Sequence, residues 1–359
     1  MILPVRYLPH QAYVETVTTV YATHPRYAEH DYPGHPENAQ RIRAVWQGLD
    51  ESGLTARMQR LEVQPADSES VLAVHTPEYL EVLRRVSESA RVTFLDPDTY
   101  AGPDALGIAL LSAGGVVGVV DAVVSGSAEN GLAAVRPPGH HAVRDRAMGF
   151  CLLGNIAIAA RFAQRQYGIE RVMIVDYDVH HGNGTEAMFY DDPSVLYVST
   201  HQYPFYPATG AARDVGTGQG DGYTVNVPLP AGCGDVNYAK VFGEVVWKAA
   251  ERFAPQLILV SVGFDAYWAD PLAEMQLTLA GYSRLADEVV RMAQQLCDGR
   301  VVFVLEGGYD LDALRHGVSN IARVLLGEPT VDALSVPAAL PREPDVVDLV
   351  TAIKAIHRL

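Results

Sequence analysis

The chain has 359 residues, of which 48% are hydrophobic and 19% charged, and it carries a formal net charge of −16. That length and apolar content are enough to bury a sizeable core, which excludes disorder as the general state. The negative balance repels phosphate backbones and argues against a nucleic-acid partner.

In chain order, Met1–Arg6 lacks the charged-then-apolar order of a signal peptide. Residues 37–60 and 77–90 read as helical and are expected to pack on the main core. Between Asp104 and Asp121 run 16 uncharged residues, interrupted by Ser112 and several glycines. That is short of the roughly 20 needed to span a bilayer, so 105–124 reads as a buried helix and no membrane partner is expected. From there, short apolar runs alternate with helical patterns. The runs are Leu132–Val135, Val172–Val175, Val195–Val198, Leu257–Val260 and Val301–Leu305, and the helices fall near 154–168, 236–252, 279–297 and 310–326. Runs of four or five mostly β-branched or aliphatic residues without polar alternation suit strands buried on both faces, and their alternation with helices predicts an open α/β sheet. No repeat, linker or low-complexity tract divides the chain, so 1–359 reads as one domain. The three cysteines, Cys151, Cys233 and Cys297, form no C-x-x-C pair. A disulfide framework is therefore not expected, and a reducing, cytoplasmic setting is.

The chemistry-bearing residues lie just past the predicted strands. Arg136-Pro137-Pro138-Gly139-His140-His141, Asp176 through Gly184, Ser199-Thr200-His201, Gly263-Phe264-Asp265 and Glu306-Gly307-Gly308-Tyr309 all sit at carboxyl ends of strands. Ligands of open α/β sheets bind in the crevice beyond those ends. Five separate segments thus point at one site.

Asp178 and His180 are two residues apart, which at a strand end places them on one face, and Asp265 adds a carboxylate from another strand. Two carboxylates and an imidazole make a three-ligand site with open positions, the arrangement of a catalytic zinc; the same set could take Fe²⁺, Co²⁺ or Mn²⁺. His140 and His141 come after a rigid Pro-Pro-Gly turn and are candidates for acid–base work. Asp176 is placed to back one ring and Asn183 the other, and the carboxylate-backed ring would be the easier to keep charged. Tyr309, on what reads as a flexible Gly-Gly tether, is a candidate hydrogen-bond donor to an oxyanion. There is no G-x-S-x-G, H-E-x-x-H or Walker loop, and the glycine-rich 216–222 reads as a loop.

Taken together, these motifs resemble the histone deacetylase superfamily, which includes class II-like and bacterial deacetylases and acetylpolyamine amidohydrolases. The likeness runs from His35-Pro36-Glu37-Asn38 through Met148-Gly149-Phe150-Cys151 and Phe205-Tyr206-Pro207 to Glu306–Tyr309. It implies an arginase/deacetylase-like open α/β fold, with an eight-stranded, mostly parallel sheet flanked by helices. It also implies Zn²⁺ on Asp178, His180 and Asp265, with water attacking an N-acyl carbonyl. By the same matching, His140 and His141 are the acid–base pair and Tyr309 polarises the carbonyl. Phe150 and Tyr206 would wall a tunnel for the acyl-lysine chain, and the Gly149 carbonyl would meet the amide N–H. Asp98, 14 residues before Ser112, stands at the spacing of a rim carboxylate. Relatives also bind K⁺ through residues matching Asp176, Ser199 and neighbouring carbonyls.

Asn183 and Glu306 resemble the class II-like and bacterial branch, and Tyr309 is retained where poorly active class IIa relatives carry His, so an active deacetylase is expected. Where polyamine-selective relatives carry a gatekeeper Glu seven residues after the last metal Asp, this chain has Leu272. The expected substrate is therefore an acyl-lysine peptide or protein, with an acetylpolyamine or other small acylated amine as the rival. The sequence leaves the oligomeric state open.

Overall fold

The structure is a computed structural model and describes residues 18–336 and 340–359; Met1–Arg6 fall outside them. The strands, in order, are β1 (Thr19–Ala22), β2 (Gln59–Leu61), β3 (Thr93–Phe94), β4 (Tyr100–Ala101), β5 (Asn130–Ala133), β6 (Val172–Asp176), β7 (Val195–Gln202), β8 (Thr224–Leu229), β9 (Leu257–Val262) and β10 (Val301–Leu305). The helices are α1 (Ala39–Glu51), α2 (Ser68–Leu72), α3 (Pro77–Ser87), α4 (Ala105–Val124), α5 (Asn155–Tyr167), α6 (Asn183–Phe189), α7 (Asp235–Val241), α8 (Trp247–Phe253), α9 (Leu279–Leu296), α10 (Leu311–Leu325) and α11 (Val347–His357).

Eight strands form one sheet in the order β2-β1-β5-β10-β9-β6-β7-β8, while β3 and β4 make a separate small ribbon. Every pairing in the large sheet is parallel. The expected mostly parallel sheet is thus wholly parallel. Parallel pairing demands crossover connections, and the helices supply them on both faces. That explains why β6, β9 and β10 are buried along their whole length. These three lie side by side at the centre, and β5 borders β10. Their carboxyl ends therefore open onto one crevice.

The helix α4 is 20 residues long and apolar enough to cross a membrane by length and composition, but most of its length is buried inside the fold. Its bounds are those expected from the sequence, and it runs past Asp121, the charged residue that closes the apolar stretch. Residues 37–60 are not one helix. α1 ends at Glu51, Gly53 turns the chain at φ +68°, and 59–61 form edge strand β2. The predicted strand 132–135 is shifted: β5 begins at Asn130, where neither Asn130 nor Gly131 carries an apolar signal, and ends at Ala133. The stretch near 236–252 is helical but passes through a π turn at Phe242–Val246 between α7 and α8.

Candidate active site

The metal-ligand candidates converge. One ligand atom from each of Asp178, His180 and Asp265 lies within 4.8 Å of the others. His180 Nδ1 is 3.1 Å from Asp178 Oδ1 and 3.3 Å from Asp265 Oδ2. Backbone donors fix the carboxylates: the Gly307 N–H meets Asp178 Oδ2 at 2.8 Å, and the Val179 N–H meets Asp265 Oδ1 at 3.0 Å. Among the described residues none donates a hydrogen bond to the buried Asp265 Oδ2, an unmet acceptor at the shared centre. Close approach depends on two residues without side chains. A Cβ on Gly263 would sit 2.0 Å from Asp178 Oδ2, and one on Gly307 would sit 2.2 Å from Asp265 Oδ2. Burial works against charge on the His180 ring, but Asp178 and Asp265 more than reverse this and push its pKa up to about 10. A field that holds a proton so firmly also attracts a divalent cation. The donor set, the unmet oxygen and the surplus negative charge fit a metal.

The histidine pair stands beside this centre, with ring centroids 4.0 Å apart. His140 Nδ1 is 3.1 Å from Asp176 Oδ2, which also accepts the Tyr197 hydroxyl at 3.0 Å. His141 Nδ1 is 2.8 Å from Asn183 Oδ1. An amide oxygen only accepts, so His141 carries its proton on Nδ1 and presents Nε2 as a free base. Burial lowers the basicity of both rings. At His140 the charges of Asp178 and Asp176 outweigh it and raise the pKa to about 10. At His141 burial, reinforced by the charges of His140 and His180, keeps the pKa well below the ordinary value. One ring holds a proton and its neighbour lacks one.

The turn carrying the pair is tied down by Glu306, whose Oε2 accepts the N–H groups of Gly139 and His140 at 2.7 and 3.1 Å. Its Oε1 accepts the Ser261 hydroxyl at 3.0 Å. Burial raises the Glu306 pKa to about 7. Asp176 and Ser199 are direct cross-strand neighbours of β6 and β7, and the Ser199 hydroxyl is 2.9 Å from His201 Nδ1.

A cavity of about 270 Å³ leads to this centre. Its walls include His140, His141, His180, Gly149, Phe150, Phe205, Tyr206 and Tyr309, with Pro36, Pro138, Gly307, Asp98 and Leu272 completing the lining. A larger cavity of about 380 Å³ lies by β1 and α1, lined by Tyr21, Trp46 and Arg60 among others. Chemistry rather than size singles out the smaller one. Phe205 stacks on His180 with centroids 5.3 Å apart, while Tyr206 meets His141 edge-on at 5.2 Å and is 37% exposed. Phe150 and Tyr206 are the walls expected from the sequence, and Phe205 lines the cavity beside them although the sequence did not single it out. Phe150 has φ +67°, a strained value for a bulky residue that turns up where function demands it. Its N–H is held by Thr99 Oγ1 at 3.0 Å.

The glycines before Tyr309 are not a flexible tether. Gly307 is wedged against the two carboxylates, and a Cβ on Gly308 would meet Phe264 at 2.8 Å. The tyrosine is instead held. Asp270 Oδ2 accepts the Tyr309 and Asp310 N–H groups at 2.7 and 3.1 Å. Arg41 donates to the carbonyls of Gly308 and Glu306 at 2.7 and 2.6 Å, with its guanidinium 5.1 Å from the phenol ring. Arg41 and Asp270 escape a reading of the sequence because each holds the tyrosine loop through its backbone atoms.

Residues 35–325 match the model of the histone deacetylase domain. Histone deacetylase 10, chloroplastic, of Oryza sativa subsp. japonica is 43% identical over 95% of this chain and 81% of that protein. The histone deacetylase-like amidohydrolase of Pseudomonas aeruginosa is 44% identical over 77% of this chain and 73% of its own. Among solved structures, the HDA15 HD domain superposes with a TM-score of 0.87 at 36% identity, covering 95% of each chain.

Proposed function

Because the chain belongs to the histone deacetylase domain family, whose members are hydrolases, we propose that it is a metal-dependent enzyme that removes acetyl or longer acyl groups from N-acyl-lysine side chains. The observation that carries this reading is the convergence of Asp178, His180 and Asp265 beside a narrow aromatic cavity that also holds two histidines and a tyrosine. A divalent ion on those three residues, Zn²⁺ or alternatively Fe²⁺ or Co²⁺, would polarise the acyl carbonyl and acidify a water molecule.

The chain's own groups do the rest. Phe150, Phe205 and Tyr206 clasp the lysine stem, which is apolar along its length once its ammonium is acylated. The Gly149 carbonyl accepts the substrate amide N–H and fixes its rotation. Tyr309 donates its hydroxyl proton as a hydrogen bond to the oxygen of the attacked carbonyl. Burial pushes its phenol pKa well above the ordinary value, so it stays a donor. His141, low in basicity and free at Nε2, takes the proton from the attacking water. His140, backed by Asp176, carries the proton that the departing amine needs. Asp98 at the rim holds the substrate backbone, and Leu272 gives no charge for a polyamine's inner ammonium to meet. Asp176 and Ser199, paired across the strands, would hold K⁺ together with nearby carbonyls. We place the enzyme, one domain along the chain, in the reducing cytoplasm; its three cysteines are buried and unpaired.

The test is kcat/KM for an acetyl-lysine peptide against N-acetylputrescine, on protein stripped by chelator and reloaded with a single metal. Peptide hydrolysis that requires reloading and exceeds diamine hydrolysis is expected. Faster turnover of the diamine by orders of magnitude would overturn the substrate assignment.

A further inference from the structure

Tyr32 and Phe94 are 37% and 45% exposed, and Val92, two residues before Phe94, is 38% exposed. The two rings meet edge to face with centroids 5.4 Å apart. A lone exposed aromatic means little, but this pair is backed by rings that run beneath the surface, through buried Tyr100, to the cavity wall. Tyr32 lies 5.6 Å from Tyr100, Tyr100 lies 4.9 Å from His35, and His35 lies 4.7 Å from Phe150 of the cavity wall. The surface is also held rigid. Asp96 Oδ1 accepts the N–H groups of Asp98 and Thr99 at 3.0 and 2.6 Å, closing the turn between β3 and β4. His35 takes the Glu37 N–H on Nδ1, so its Nε2–H donates to the Asp98 carbonyl at 2.9 Å. The Tyr100 hydroxyl receives an Arg136 N–H at 2.9 Å.

We propose that the Tyr32–Phe94 face is a docking surface for a large apolar side chain, aromatic or Leu, flanking the acyl-lysine of a peptide substrate. This rests on the acyl-lysine reading above and adds the kind of sequence the enzyme selects. The spacing suits it. Phe94 stands opposite Tyr100 across the ribbon, and cavity-lining Asp98 is two residues before Tyr100. Asp98 lies in the turn that joins the two strands, so ring and carboxylate belong to one short hairpin at the cavity mouth. A peptide anchored at Asp98 with its acyl-lysine in the cavity carries a nearby side chain across these rings; a small acylated diamine has nothing to place there. A preformed aromatic face gains affinity because little ordering cost is left at binding.

The experiment uses the metal-loaded full chain and a peptide series with one acetyl-lysine, in which Phe or Ala is placed two or three residues to either side. Fluorescence anisotropy measures binding and a discontinuous assay measures kcat/KM. Expected is about a tenfold preference for Phe over Ala on one side, in both measurements, shrinking to within twofold in Phe94→Ala and largely retained in Phe94→Leu. Equal values for Phe and Ala peptides, or a preference unchanged in folded Phe94→Ala protein, would overturn the proposal. So would a wild-type dimer that Phe94→Ala dissolves, because a second copy would then be the occupant. Phe-dependent binding without hydrolysis would support the docking surface and remove the deacetylase reading instead.

Discussion

At Gly263 and Gly307, the absence of a side chain is what lets two carboxylates aim at one point. A methyl at Gly307 would fall 2.2 Å from Asp265 Oδ2 and 2.6 Å from Asp178 Oδ2, displacing ligands rather than a soft neighbour. Gly307→Ala is therefore expected to weaken metal affinity at least tenfold, within the range seen when groups supporting metal ligands are lost. Tyr309→Phe makes the contrast: metal content should be unchanged while kcat falls about 10²–10³-fold, the scale of one oxyanion donor. Elemental analysis after desalting, paired with turnover, reads both. Full metal in Gly307→Ala, or near-native turnover in Tyr309→Phe, would detach that residue from its role. Asp178, His180, Asp265, His140 and His141 were legible in the sequence because each comes after an apolar run at a strand end. Phe205 was not, since adjacent aromatics offer no sequence signal for which ring faces inward. The Gly-Gly pair was visible but misread, because close packing and flexibility select the same residue.

Between elements, one buried ion cluster couples the approach to α1 with the site. Glu37, just before α1, accepts Arg41 Nη1 at 3.1 Å and Arg136 Nη2 at 2.8 Å, and all three residues are at most 1% exposed. Burial alone would raise the Glu37 pKa, but Arg136 and Arg41 outweigh it and hold the carboxyl below its usual range. Arg41 then reaches the carbonyls on either side of Gly307, so the cluster ties α1 to the tyrosine loop. Glu37→Ala leaves two buried guanidiniums short of their counter-ion. It is expected to cost about 3–5 kcal/mol of stability, read as a lowered urea midpoint, with Glu37→Gln milder. A loss under about 1 kcal/mol, the scale of an exposed ion pair, would show the cluster to be dispensable. Glu37 and Arg41 stand at i,i+4 spacing, but their ties to Arg136 and to the tyrosine loop were not legible, because those join residues far apart in sequence. The fold shows the same division. The central strands β6, β7, β9 and β10 announced themselves as apolar runs, whereas the edges did not. β2 reads Gln-Arg-Leu, and β8 is broken by Asn226 and Pro228, which an edge tolerates because it pairs on one side only. α11 packs over that edge, covering a strand that would otherwise stay open.

For the molecule as a whole, chemistry is gathered at one end of the sheet while groups elsewhere set its response to acid. As pH falls toward the sequence pI of about 5.1, the surplus negative charge shrinks and self-repulsion eases. Rings buried in the neutral form act in the opposite direction. His75 is fully buried where three segments meet, with Nε2 accepting the Gly154 N–H at 2.9 Å and Nδ1 facing the Arg144 carbonyl at 3.3 Å. A second proton would have to enter against the Gly154 N–H. Burial accordingly lowers the His75 pKa to about 4. The unfolded chain takes up that proton near pH 6.5, whereas the folded chain does not until about pH 4. Stability from this ring is therefore whole above about pH 6.5 and drains away as pH falls from there toward about 4. Between about pH 7 and pH 5 the loss comes to about 2 kcal/mol. His75→Gln keeps polar groups of similar reach but has nothing to titrate, so it should be less stable than wild type at about pH 7 and close that gap by about 2 kcal/mol at about pH 5. Taking the difference between the two proteins cancels every other titrating group, including those around the metal centre. Urea unfolding of both proteins at the two pH values measures it, and a gap independent of pH would show that His75 takes up its proton equally in the folded and unfolded states.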